Sequence, residues 1–124
     1  MPVLATNPSG QLTEPFAGSV LKTETVAAAG SVIGNATALS ASCGLSIVTG
    51  ADDTKGVILP VAQVGLVHEV YSSQATNGLK IYPQVNSTLN GGSANSAIVI
   101  EGLSLARFVG TSATNWAAQY TTNS

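Results

Sequence analysis

Few side chains of this protein could carry acid–base, nucleophilic or metal chemistry. The chain has one histidine, His68, and one cysteine, Cys43, with six carboxylates and four basic residues among 124 residues. A catalytic thiol needs a basic neighbour that lowers its pKa, and His68 is far from Cys43 in sequence. We therefore interpret Cys43 as a buried structural thiol, and a single cysteine forms no disulfide within the chain.

His68 lies in an alternating segment that predicts a β-strand. Leu66, His68 and Val70 share one face of it, while Glu69 points to the other face. Glu69 therefore cannot orient the imidazole as the acid of a catalytic triad does. We predict a partly buried or interfacial histidine. A further hypothesis is that His68 meets its own copies near a symmetry axis of an oligomer.

The remaining charged residues indicate no ligand site. The one carboxylate cluster, Asp52 and Asp53, lacks the alternating acidic spacing of calcium loops and is interpreted as a solvated turn. A zinc site would need a second histidine or a histidine–carboxylate set, which the chain lacks. An active site needs several titratable groups converging in one pocket. We expect no catalysis, no metal and no cofactor.

The charge balance also excludes several kinds of partner. The net charge is −2, and the basic residues are scattered, whereas phosphate binding needs them clustered. No polybasic patch is present to bind a membrane surface. The longest apolar run, residues 57–62, is far too short to span a bilayer and contains Pro60. The N-terminus lacks the features of a signal peptide, which predicts synthesis in the cytoplasm.

Composition indicates instead a protein that packs against other subunits. Only 8% of the residues are charged and 44% are hydrophobic, whereas soluble domains carry about a quarter of their residues as charged side chains. Depletion of charge is typical of the core of a protein–protein interface. We predict that the chain sits against copies of itself or against a larger assembly.

Short apolar runs punctuated by turn residues predict an all-β fold. We expect a single antiparallel β-sandwich or jelly-roll-like barrel, with no amphipathic helix. The segment around Asn77–Gly78 is predicted to close a hairpin, because such loops need residues that adopt positive φ angles. The predicted strands cover residues 19–26, 45–49, 56–59, 65–73, 79–82, 97–101, 104–109 and 116–120.

The chain is predicted to have three parts. Residues 1–18, interrupted by three prolines, form an extended N-terminal arm, and Leu12 and Phe16 are its candidate contacts with a partner or capsid. Two alternatives for this segment have equal weight: it becomes ordered when it binds a partner, or it is a free tail. Residues 19–42 connect the arm to the domain and hold a possible first strand. Residues 43–124 form the β-sandwich domain.

The strand faces point to contacts beyond one subunit. Leu105, Arg107 and Val109 form one face of a strand whose other face carries Phe108, so that both faces contain apolar residues. Such strands indicate that the outer face is also covered. Phe108, Trp116 and Tyr120 are the candidate core or interface anchors, because large aromatic groups concentrate packing and binding energy.

The order of several short motifs resembles that of a family of small phage structural modules. The family occurs in head decoration or head-fibre proteins and in domains appended to tail proteins. The similarity covers about residues 36–120. It rests on the segments at residues 36–40, 56–60, 64–65, 79–83, 89–91, 93–97, 98–102, 107–109 and 115–116.

This resemblance implies a β-rich fold, assembly around a threefold axis and no catalysis. It predicts a capsid decoration protein of a bacteriophage virion, a homotrimer bound to the major capsid protein on the outer surface of the head. It implies neither a nucleic acid nor a membrane as partner. The alternative is a receptor- or glycan-binding module of a tail fibre, with Trp116 or Tyr71 as an exposed aromatic platform.

Overall fold

The computed structural model describes residues 20–122, and this part of the chain is all-β, as predicted. It has one short 3₁₀ helix, Ile33–Asn35, and no α-helix among the described residues. The strands are β1 (Thr23–Ala27), β2 (Thr37–Ala38), β3 (Leu45–Thr49), β4 (Gly56–Ile58), β5 (Val67–Ser72), β6 (Leu79–Tyr82), β7 (Thr88–Leu89), β8 (Ile98–Ile100), β9 (Leu105–Ser112) and β10 (Asn115–Gln119).

The strands form two sheets, and the chain alternates between them. The six-stranded sheet has the order β1-β3-β5-β9-β10-β7, and the four-stranded sheet has the order β2-β4-β6-β8. The chain winds through both sheets in three successive turns, β1–β2, β3–β4 and β5–β6. Each of these turns contributes one strand to each sheet. Successive turns stack in parallel, so that Thr23 lies beside Leu45 and Leu45 lies beside Glu69.

The prediction of antiparallel pairing is wrong for these turns. β1, β3 and β5 pair in parallel, as do β2, β4 and β6, and antiparallel pairing begins with β8, β9 and β10. The segment around Asn77–Gly78 is therefore not a hairpin, because it carries the chain from β5 in one sheet to β6 in the other. A parallel pair needs a crossover, and here the strand of the opposite sheet provides it.

The hydrophobic core draws on both sheets. Val48, Val70 and Phe108 of the six-stranded sheet belong to the same buried cluster as Leu59 and Ile81 of the four-stranded side. Strand β5 shows the local cause, since its residues alternate between buried and partly exposed along Val67–Ser72. Side chains of a strand point alternately to opposite faces, so one face enters the core and the other is left outside.

The three predicted parts of the chain are described to different extents. The arm at residues 1–18, with Leu12 and Phe16, lies outside the described residues. Within residues 19–42, the first strand is β1 at Thr23–Ala27, somewhat later than the predicted span. β1 and β2 hydrogen-bond to β3 and β4, so this segment forms the first turn of the same structure.

Candidate functional site

The largest candidate site is the outer face of the six-stranded sheet. We use this name for the strand side chains that point away from the core, since their neighbours along each strand are buried. Three cross-strand rows build it, as the register of the sheet shows. The rows are Val67–Val109–Ala117, Thr23–Leu45–Glu69–Arg107–Gln119 and Thr25–Ile47–Tyr71–Leu105.

This outer face is apolar around one pair of opposite charges. Val67 is 38% exposed and Leu105 is 50% exposed, which leaves large hydrophobic groups in contact with water. Glu69 and Arg107 are direct cross-strand partners in the middle row. Opposite charges in that position attract one another. Shallow depressions in the face are lined by residues that include Arg107 and Gln119.

The outer side of the four-stranded sheet differs because the chain itself covers part of it. The Tyr82 hydroxyl donates a hydrogen bond to the backbone oxygen of Ser31 at 3.2 Å, and the Lys80 ammonium donates to the same oxygen at 3.4 Å. Ser31 lies two residues before the 3₁₀ helix, which contacts β4. On the six-stranded sheet, large outward-pointing side chains such as Val67 and Leu105 stay partly exposed.

A second candidate site is a polar network inside the N-terminal end of the core. Three stacked strands contribute Glu24, Ser46 and His68, all on the inner side of the sheet. The Ser46 hydroxyl donates to Glu24 Oε2 at 2.7 Å, and its oxygen lies 2.9 Å from His68 Nε2. Glu24 Oε2 also accepts the backbone N–H of Ser40 at 2.9 Å. The network therefore pairs polar groups that burial would otherwise leave unsatisfied.

Burial dominates the protonation of His68. Desolvation lowers the pKa of this imidazole below its ordinary value, and the charge of Glu24 and a hydrogen bond to the Cys43 backbone oppose the shift without reversing it. A neutral ring carries one N–H, so it donates either to Ser46 or to the Cys43 carbonyl oxygen, but not to both. Two acceptors, the Ser46 oxygen and the Cys43 carbonyl oxygen, therefore lie near a ring that has only one N–H to donate.

The network differs in its order of atoms from a catalytic triad. In a triad the histidine lies between the acid and the serine, whereas here Ser46 lies between Glu24 and His68. Ser46 is fully buried and His68 is 2% exposed. His68 was predicted to be either partly buried or interfacial, and the structure places it in the interior of the chain. The hypothesis that His68 meets its own copies at a symmetry axis is wrong, because its ring is enclosed within one chain.

Sequence reasoning missed this network, although one signal was available. It placed His68 on one face of its strand and considered only Glu69, on the opposite face, as an acid. Glu24, Ser46 and His68 are evenly spaced along the chain. Equal spacing is the mark of a stacked repeat, in which residues of successive turns become neighbours.

The predicted anchors lie in or against the core. Phe108 and Trp116 are completely buried, and Tyr120 is partly buried and packs against the core cluster. The indole Nε1 of Trp116 has no hydrogen-bond partner. Trp116 is therefore a core anchor, and the alternative of an exposed aromatic platform is wrong for this residue. Leu12 and Phe16 lie outside the described residues.

The carboxylate cluster at Asp52 and Asp53 organises its own loop. Asp52 Oδ1 accepts hydrogen bonds from the backbone and hydroxyl of Thr54 and from the backbone of Lys55, which together lower the pKa of Asp52. Asp53 Oδ1 accepts the backbone N–H of Gly78 at 2.6 Å. Both carboxylates are thus engaged in turn structure. No group of three metal-ligating side chains occurs within residues 20–122.

Comparisons with known proteins identify no relative. No family model, no curated protein and no solved structure matches the chain. In the part of the chain that the structure describes, no helix is both long enough and apolar enough to cross a membrane.

Proposed function

We propose that this chain is a structural protein of a bacteriophage virion that decorates the capsid and stabilises it. The observation that carries the proposal is the outer face of the six-stranded sheet, where apolar side chains surround a single Glu69–Arg107 pair. Exposed apolar patches with few charges are typical of surfaces that bind other proteins. The resemblance of the sequence motifs to phage head decoration modules supplies the class of partner.

The proposed mechanism is mechanical and involves no catalysis. Each copy binds the major capsid protein on the outer surface of the head and buries apolar area across junctions between capsid subunits. Separating those subunits then also requires breaking the contacts of the decoration protein. Many identical copies act together, so that modest individual affinities combine through multivalency. The protein self-associates, with the trimer that the resemblance implies.

The parallel stacking of successive turns differs from the antiparallel sandwich expected from the sequence. Three stacked turns followed by antiparallel strands favour a short β-solenoid, a fold that presents flat lateral faces to partners. The two sheets still face one another across a common core. The β-sandwich or jelly roll is the alternative description of that two-layer arrangement.

A tail-fibre module that binds a receptor or a glycan is the second candidate. One observation favours it: Tyr71 lies on the outer face, in register with Ile47 and Leu105, where an aromatic ring is partly exposed. A glycan array or a cell-adsorption assay distinguishes the two functions. Binding to cells or glycans that Tyr71→Ala abolishes would replace the proposal of capsid decoration.

The direct experiment is co-sedimentation of the purified protein with particles of its phage that lack it. The full chain is expected to pellet with the particles and to raise the temperature at which they release DNA. Deleting residues 1–18 is expected to abolish binding, while circular dichroism shows an unchanged β spectrum. A chain that stays in the supernatant as a monodisperse monomer overturns the proposal, and unchanged binding by the truncated chain overturns the role of Leu12 and Phe16.

A further inference from the structure

The arrangement of charged and apolar pairs on the outer face of the six-stranded sheet indicates what covers it. Its middle row places Glu69 on β5 beside Arg107 on β9, and the neighbouring rows place Tyr71 beside Leu105 and Val67 beside Val109. The charged pair is thus flanked along both strands by apolar pairs. The face carries one negative and one positive charge, so it is neutral as a whole.

We propose that this face binds the same face of a second copy of the chain about a two-fold axis. The axis lies in the interface, parallel to β5 and β9 and between them. Rotation about it places Glu69 over Arg107 of the second copy, and Arg107 over Glu69 of that copy. The same rotation places Tyr71 over Leu105 and Val67 over Val109. One operation therefore matches the charges and the apolar rows together, as a two-fold interface requires.

Charge complementarity selects a copy of the chain over an unrelated apolar partner. A purely hydrophobic partner would bury Glu69 and Arg107 without new opposite charges, which costs free energy. In the two-fold arrangement each charge faces an opposite one from the other copy as well as its cross-strand neighbour. Two sheet faces packed in this way lie about 10 Å apart, as in β-sandwiches.

This inference rests on the self-association contained in the proposed function and assigns the outer face to it. Contact with the capsid then falls to other parts of the chain, for which residues 1–18 are the candidate. A two-fold contact joins copies in pairs, so the assembled particle contains an even number of chains. Two chains are expected if this contact acts alone. Six are expected if it joins two of the trimers proposed above. Mass photometry and sedimentation velocity of the full-length protein measure this number directly.

Charge reversal tests the contact itself. Glu69→Arg leaves two positive charges on the face and Arg107→Glu leaves two negative ones, so each variant repels its own copies. Each reversal is expected to weaken the pairing at least about tenfold, because like charges placed opposite each other across an interface repel. The matched control is Lys55→Glu, a reversal in the exposed loop before β4, which is expected to leave the assembly unchanged.

Mixing the two reversed variants shows whether Glu69 and Arg107 interact between copies or only within one chain. A positive face then meets a negative face, and a complex that contains both variants is expected to form. If Glu69 and Arg107 interact only within their own chain, no mixed complex appears. Thermal unfolding followed by circular dichroism confirms that each variant is folded, and recovery on mixing cannot arise from misfolded chains.

The outcomes distinguish this inference from the proposed function. A wild-type protein with one chain or an odd number of chains overturns the two-fold contact. Reversals without effect on the mass, or a mixture without complex, also overturn it. In each of those cases, binding to phage particles in the co-sedimentation assay leaves capsid decoration standing. An even-numbered assembly that binds no particles supports the contact and overturns capsid decoration.

Discussion

Ser46 Oγ lies 2.9 Å from His68 Nε2 inside the core, and the same hydroxyl donates a hydrogen bond to Glu24 Oε2 at 2.7 Å. The contact joins neighbouring strands of two successive turns of the chain. A carboxylate, a hydroxyl and an imidazole thus form a chain of hydrogen bonds across β1, β3 and β5. This chain makes the stability of the fold sensitive to pH and to the loss of any one member.

The free energy of unfolding is expected to fall as the pH is lowered from 7.5 to 5. Burial holds the pKa of folded His68 below 6.5, so the unfolded chain takes up a proton at a higher pH than the folded chain does. The stabilising contribution is complete above about pH 6.5 and decreases as the pH falls toward the folded pKa. The slope for one proton is at most about 1.4 kcal/mol per pH unit.

Urea unfolding at a series of pH values measures this slope, and His68→Gln provides the comparison. Glutamine is neutral throughout and retains a donor and an acceptor. The variant is expected to lose the pH dependence in this window. An equal slope in both proteins would assign the effect to another group.

Ser46→Ala is expected to lower the free energy of unfolding by about 1–3 kcal/mol. The substitution removes the hydroxyl that links Glu24 and His68, and it leaves the buried imidazole and the partly buried carboxylate without that partner. Ser42→Ala is the matched control, because its hydroxyl bonds only to Ser40 at the exposed surface. Equal losses in the two variants would contradict the importance of the buried network.

Trp116 is expected to tolerate replacement by phenylalanine better than replacement by alanine. Its Nε1 has no hydrogen-bond partner, so Trp116→Phe loses volume without breaking a hydrogen bond. Trp116→Ala empties most of a fully buried site and is expected to cost about 3–5 kcal/mol. Chemical denaturation of both variants checks the ranking. Equal losses in the two variants would contradict this ranking.

Gly110→Ala is expected to destabilise the fold severely or to prevent folding. A methyl group at Gly110 would overlap the backbone carbonyl of Gln63, where the chain turns back against β9. Backbone at that contact cannot rotate away as a flexible side chain does. Gly34→Ala is the matched control, because a methyl group there meets no atom within 4 Å. Soluble yield and melting temperature report the difference.

Local features of this fold were readable from the sequence. The predicted strands at residues 45–49 and 79–82 coincide with β3 and β6. The alternation around His68 correctly placed His68 and Glu69 on opposite faces of their strand. Such features depend on the side-chain period of a strand and on turn residues next to it, so a short stretch of sequence contains them.

Strand partners and the polar network depended on tertiary structure. Alternation shows that a strand has two faces but not which strand lies beside it. The prediction of a hairpin between β5 and β6 is therefore wrong, because these strands belong to different sheets. Glu24 becomes a neighbour of Ser46, and Ser46 of His68, only because successive turns stack in parallel. Long-range pairing follows from the free energy of the whole core, which no single segment of the chain contains.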